Sequence, residues 1–140
     1  MAERRRVVLD THVWIWLVDG NLQLSPRIRV LIDDAARMGA VLIPAICVWE
    51  VATLELKGRL VLQKDPRDWV REALNQPGIS LVPLSAEIAL DSCYLPGDLH
   101  QDPADRLIVA TARMENAVVV TRDRRLLRYA KDGHVSAVRA

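Results

Sequence analysis

Four acidic side chains stand where the sequence around them is apolar or turns abruptly. Asp10 follows Val7-Val8-Leu9 in VVLDTHVWIWLV, and Glu50 lies inside IPAICVWEVATL. Asp105 lies in QDPADRLIVATA, and Asp123 closes VVVTRD. Carboxylates brought together repel one another, which raises their pKa values and strains a fold unless a cation intervenes. Hard oxygen donors select Mg2+ or Mn2+, ions that keep several waters and take a few carboxylates together with substrate phosphate. The chemistry such a cluster supports is metal-assisted hydrolysis of a phosphodiester, in which one ion activates water and another stabilises the leaving oxygen.

Each acid also has a plainer reading. Asp10 suits a cap for the helix after the first strand. Asp102 and Asp105 form an acidic variant of a capping box, and both suit the positive end of a helix dipole. For Asp102 capping is the favoured role. Asp123, before Arg124 and Arg125, suits an ordinary turn. Glu50 resists such a reading best. Ile46 and Leu54, four residues away on either side, share its helical face, and Lys57 is two turns away. A buried glutamate needs a partner, and a cation from solution is the simplest.

The elements that must carry these residues alternate. Apolar runs with strand character occur at 7–9, 41–43, 79–82 and 117–120, with a weaker one at 135–138. Helical patterns fall at about 12–18, 26–38, 45–57, 66–75, 86–94, 103–115 and 123–131. Short strands alternating with helices predict an α/β domain with a mainly parallel sheet covered on both faces. Ser25-Pro26, Asp65-Pro66 and Asp102-Pro103 each set a capping side chain before a proline at the first helical position. Gly39 and Gly58 are expected helix stops, and Gln76-Pro77-Gly78 and Leu95-Pro96-Gly97-Asp98 are expected turns. In an open α/β sheet ligands bind beyond the carboxyl ends of the strands, where strand order reverses. Asp10 and Asp123 follow two such ends; Glu50 and Asp105 ride on helices that begin near the same edge.

Composition bounds the partners. A 140-residue chain fits one domain, 1–140, with a substantial core. The net charge of +1 argues against a wholesale polybasic binder without excluding nucleic acid, because charge is segregated. In residues 121–140 six basic side chains face only Asp123 and Asp132. Cys47 and Cys93 lack metal-ligand spacing and read as small apolar residues, so a reduced, cytoplasmic setting is expected. Arg4, Arg5 and Arg6 before an apolar stretch suggest a secretory leader, but Asp10 and Asp19 interrupt it and no small-residue cleavage site follows. The longest apolar run, Ala40 to Trp49, is well short of the ~18 residues of a membrane span, so no membrane partner is expected.

Taken together, the blocks resemble the PIN-domain ribonucleases, in particular the VapC-like toxins of bacterial toxin–antitoxin pairs. VLDTHVWIWL is similar to the family's first-strand motif and carries its acid onto Asp10; VWEVATLELKGRL carries the second onto Glu50. DPADRLIVATA is the most specific match and places the third on Asp105, with Asp102 as an accessory. VVVTRD supplies Asp123 and the Thr121 hydroxyl, which can orient a water or carboxylate; Thr11 is a further accessory. The blocks occur in family order from residue 7 to residue 123, nearly the whole chain. One departure is Pro44-Ala45, where relatives often carry a small hydroxyl residue, which puts a cap or polar contact there in doubt. The resemblance implies a three-layer α/β/α sandwich, Mg2+- or Mn2+-dependent endoribonuclease activity with Asp10, Glu50, Asp105 and Asp123 as metal ligands, a small cognate antitoxin and commonly a homodimer.

Other residues carry weaker signals. His12 tempts a general-base role, but hydrolysis of this kind can take its nucleophile from water activated by the metal, so packing beside the site is the better expectation. His100 and His134 fall in loops and receive no role. Arg106 suits substrate phosphate or a salt bridge. Arg122, Arg124, Arg125 and Arg128 suit a solvated face or, beside an acidic centre, RNA phosphates. Trp14 and Trp16, two residues apart, cannot share a helical face; one can enter the core while the other looks toward a partner. Two rivals to the nuclease remain. A phosphatase-type hydrolase with Asp10 as nucleophile wants a second carboxylate where His12 stands. A catalytically inactive PIN-like module would bind RNA or protein without cutting.

Overall fold

A computed structural model describes residues 5–140; Arg4 of the basic run lies outside the described residues. The chain runs β1 (Val7–Leu9), α1 (Thr11–Asp19), α2 (Pro26–Arg37), β2 (Val41–Pro44), α3 (Ala45–Leu56) and α4 (Pro66–Leu74). It continues β3 (Ile79–Val82), α5 (Ala86–Cys93), α6 (Pro103–Glu115), β4 (Val118–Thr121), α7 (Arg124–Lys131) and β5 (Ser136–Arg139). The strands form one parallel sheet in the order β3-β2-β1-β4-β5, flanked by helices in a three-layer α/β/α arrangement.

The pattern of burial explains which strands sit where. Val7, Val8, Leu9, Val41, Ile43, Val119 and Val120 are all buried, the unbroken apolar run demanded of strands covered on both faces. Each such side chain, fully buried, contributes about 1.5–3 kcal/mol. At the edges, β3 exposes Ser80 and Leu81, and β5 exposes Ser136 and Arg139. The weaker strand signal at 135–138 therefore reflects an edge position. Alanines 110 and 112, with Ile108 and Val109, give α6 a wholly buried stretch, and the helix packs across β1, β2 and β4.

Local chemistry sets the boundaries. Ser25 Oγ accepts from the Ile28 N–H (3.3 Å), Asp65 Oδ1 from the Arg67 N–H (2.8 Å) and Asp102 Oδ1 from the Asp105 N–H (3.0 Å). Gly39 and Gly58 adopt positive φ just beyond α2 and α3, as the helix stops require. Pro44 precedes α3 with no side-chain cap, so the departure noted there is real. The final helix begins at Arg124 because Asp123 is its cap, outside the helix proper. Among the described residues no helix is long and apolar enough to cross a membrane.

Candidate functional site

Strand order reverses between β1 and β4, and the two strands end side by side, with Leu9 in register with Val120. The Asp10 N–H donates to the Val120 carbonyl (3.1 Å), so the residue leaving β1 is pinned to its neighbour before its side chain is placed. Asp10 Oδ1 accepts the Thr11 N–H at 2.7 Å and so caps α1. Its Oδ2 accepts the Thr121 hydroxyl at 2.6 Å. Capping and site-building are thus shared between the two oxygens of one carboxylate.

Two buried threonines extend this into a chain. The Thr11 hydroxyl donates to Glu50 Oε1 at 2.5 Å, and Thr121 Oγ1 accepts the Asp123 N–H at 3.0 Å. Glu50, Thr11, Asp10, Thr121 and Asp123 are therefore linked hydrogen bond by hydrogen bond along the carboxyl edge. Asp105, in the first turn of α6, joins from the side. Its N–H bonds to Asp102, but its carboxylate does not complete the capping box; Oδ2 lies 2.6 Å from His100 Nε2. Arg125 reaches across, its Nη2 3.3 Å from Asp123 Oδ2 and 3.7 Å from Asp105 Oδ2.

The electrostatics divide the acids. Burial pushes the Asp10 carboxyl above its ordinary value; the Thr121 and Thr11 hydrogen bonds oppose this and the Asp123 charge adds to it. Burial likewise raises Glu50 against its Thr11 bond, with the charges of Asp10 and Asp105 pushing further. Asp105 is raised by burial against its His100 bond, and by the charges of Asp10, Asp102 and Asp123. At Asp123 burial also disfavours the charge, but the Arg125 side chain and the N–H groups of Arg125 and Leu126 outweigh it and hold the carboxyl low. The four acids expected from the sequence therefore lie close enough to feel one another.

Among the described residues no three acidic, histidine or cysteine side chains close into a ready-made metal cage. The donors present nonetheless fit a hard, hydrated cation. Three half-buried carboxylates are unwillingly charged and have threonine or histidine side chains as hydrogen-bond partners, and Mg2+ needs only one or two protein carboxylates because it keeps its waters.

The flanking residues sort differently from expectation. Arg106 donates from Nε to the Ser92 carbonyl (2.8 Å) and from Nη1 to those of Leu99 (2.8 Å) and His100 (3.3 Å). Arg122 donates to the carbonyls of Ala140 (3.2 Å) and Gln23, with its guanidinium 4.7 Å above the Trp16 ring. The geometry favours bracing over phosphate contact for both, because half-buried guanidiniums already bonded to backbone carbonyls have few donors left. Arg124 is exposed beside the acidic edge. His12 is exposed on α1, its ring 6.2 Å from that of Trp16. Trp14 is buried against Trp69, while Trp16 is half-covered by Arg122. Sequence reasoning missed His100, which stands two residues before the α6 cap and folds back over the first turn. It gave Arg125 a place on a solvated face or against RNA phosphates, not a bond to Asp123.

The family model for the PIN domain matches residues 7–132, and the chain belongs to that family. It is similar to Ribonuclease VapC22 of Mycobacterium tuberculosis (strain ATCC 25618 / H37Rv), 32% identical over 120 residues that span 86% of this chain and 88% of that protein. Among solved structures the fold is shared with VapBC2 from Rickettsia felis bound to a promoter DNA fragment: TM-score 0.69, 14% identity, 95% of this chain and 97% of that one. It is shared also with FitAcB from Neisseria gonorrhoeae: TM-score 0.62, 24% identity, 94% and 95% of the two chains.

Proposed function

We propose that the protein is a Mg2+- or Mn2+-dependent endoribonuclease that hydrolyses RNA phosphodiester bonds, and that it is the toxin of a toxin–antitoxin pair. The observation that carries this is the run of three charge-averse carboxylates, Asp10, Glu50 and Asp105, at the reversal point of a parallel sheet. The ribonuclease name of the M. tuberculosis relative supports the substrate class. A structural neighbour described as a toxin–antitoxin complex from Klebsiella pneumoniae supports a small antitoxin as partner, and a homodimer completes the proposed assembly.

A cation held by Asp10, Glu50 and Asp105, with Asp123 at the margin, would supply Lewis-acid activation of water and stabilisation of the leaving oxygen. The chain's own residues set that up. Thr11 and Thr121 lock the orientation of Asp10 and tie Glu50 and Asp123 to it. Arg124, exposed at the mouth, brings positive charge to an edge that would otherwise repel a polyanion. Arg125 neutralises Asp123 and stands where a phosphate would enter.

The test is cleavage of a panel of single-stranded RNAs by the full chain with Mn2+ and with EDTA. Internal cuts with Mn2+ and none with EDTA are expected. A folded, Mn2+-loaded protein that cuts nothing would leave an inactive RNA- or protein-binding module as the better account. For the toxin assignment, a small protein encoded beside this one should bind it stoichiometrically and stop the cleavage.

A further inference from the structure

We propose that His100 is a positioning residue that fixes the orientation of Asp105, with Arg106 as its brace; this rests on the reading of the acidic edge as a metal centre. Among the described residues, His100 supplies the one hydrogen bond to the Asp105 carboxylate, Nε2 to Oδ2 at 2.6 Å. Asp10, by contrast, is gripped at both oxygens. Both members of the pair are largely covered, with side-chain exposures of 18% and 13%. Oδ1 of Asp105 is left without a hydrogen bond among the described residues and is the oxygen available to a cation.

The other ring nitrogen tells which way the proton points. Among the described residues His100 Nδ1 is buried and has no partner. A hydrogen on Nδ1 would be a buried donor without an acceptor, whereas a bare lone pair there costs less. The hydrogen therefore sits on Nε2 and is donated to Asp105, the tautomer being assigned from the bonding pattern.

The loop that carries His100 is itself held. Arg106 Nη1 bonds the carbonyls of Leu99 and His100, and Nε bonds the carbonyl of Ser92 on α5. Leu99 is buried at 5% exposure, anchoring the preceding side chain in the small core of Leu95, Val109, Leu126 and Tyr129. The result is a closed circuit. Asp105 is followed by Arg106, Arg106 clamps the loop, the loop presents His100, and His100 returns to Asp105. Metal-binding carboxylates commonly depend on such outer partners for their orientation.

The experiment titrates the full chain with Mn2+ alone by calorimetry and measures kcat and KM on single-stranded RNA. It compares the parent with His100→Leu, which keeps bulk but donates nothing, His100→Gln, which restores an N–H donor, and Asp105→Asn. His100→Leu should weaken Mn2+ binding by about 10- to 100-fold and lower kcat, with KM unchanged and the metal-free melting temperature close to the parent's. His100→Gln should recover most of the affinity. Parent-like Mn2+ affinity in His100→Leu, or equal weakening in the Leu and Gln variants, overturns the positioning role. Asp105→Asn separates the two levels of inference: parent-like Mn2+ binding there overturns the metal centre itself. Loss in Asp105→Asn with retention in His100→Leu overturns only the role of His100.

Discussion

Asp105 and Asp123 lie at the mouth of one site, within reach of the same Arg125 guanidinium, yet their surroundings drive them in opposite directions. Asp123 is the nearer to Arg125, at 3.3 Å, and takes two helix N–H groups besides, so its charge is compensated from within the chain. Asp105 stands 3.7 Å from that guanidinium, is more deeply covered, and has an imidazole as its hydrogen-bond partner. Asp10 and Glu50 belong with Asp105, since Glu50 has the Thr11 hydroxyl and Asp10 the Thr121 hydroxyl and the Thr11 N–H, with no guanidinium bonded to either among the described residues. The difference teaches where a cation from solution gains most. On the proposed reading it would stabilise most the three carboxylates whose charge the fold compensates least, and Asp123 least.

Activity gives the sharpest break. Asp10→Asn and Asp105→Asn should each lower single-turnover RNA cleavage by more than about 100-fold, beyond the range of outer partners, whereas Asp123→Asn should cost less than about tenfold. Equal losses at Asp105 and Asp123 would collapse the contrast. Stability comes next. Mn2+ at 100 times its Kd should add about 2.7 kcal/mol, read as a melting shift of roughly 10 °C. Asp10→Asn should abolish most of that shift and Asp123→Asn should retain most of it.

Thr121→Val removes both the hydroxyl donated to Asp10 and the acceptor of the Asp123 N–H. A loss of about 1–3 kcal/mol in urea unfolding is expected; a neutral result would show that the chain of hydrogen bonds is not holding the edge together.

The smallest effect is in pH. Asp10, Glu50 and Asp105 have folded-state values raised above 3.8, 4.5 and 3.8, so the native state binds more protons than the unfolded chain. Their contribution is fully present below those ordinary values and is lost as pH rises through the elevated ones. Asp123 is lowered below 3.8, so its contribution is present above 3.8 and is lost as pH falls through the depressed value. In EDTA, Asp10→Asn should flatten the decline in melting temperature on the rising-pH side by a few degrees, and Asp123→Asn should flatten only the acid side. Saturating Mn2+ should remove the first effect and leave the second.

The elements were legible because apolar runs of three or four residues marked the strands and capping side chains before prolines marked helix starts. Ser25-Pro26, Asp65-Pro66 and Asp102-Pro103 marked helix starts that the structure reproduces. The acids at 10 and 123 were legible because both follow buried strands. The use made of their neighbours was not. Arg122 looked free for phosphate because the sequence cannot show that the carbonyls of Gln23 and Ala140 arrive beside it. His100 looked idle because a loop histidine has no periodicity, and its bond to Asp105 depends on how the turn closes over α6. The one signal on offer was the Asp102-Pro103 cap, which sets His100 two residues before the cap and Asp105 in the first turn of the helix. For Asp10, cap and site looked like alternatives only because a single letter hides two oxygens.

The bond between the Thr121 hydroxyl and Asp10 joins residues 111 apart in sequence. Contacts of that separation form late, because a long loop must close before anything is gained. On a ribosome, β1 with Asp10 emerges first, and β4 cannot dock against it until chain beyond Thr121 has followed. β1, β2 and β3 can assemble meanwhile as neighbours, with Asp10 facing an unfilled flank of the sheet. The acidic edge is thus completed only after β4 has docked against β1.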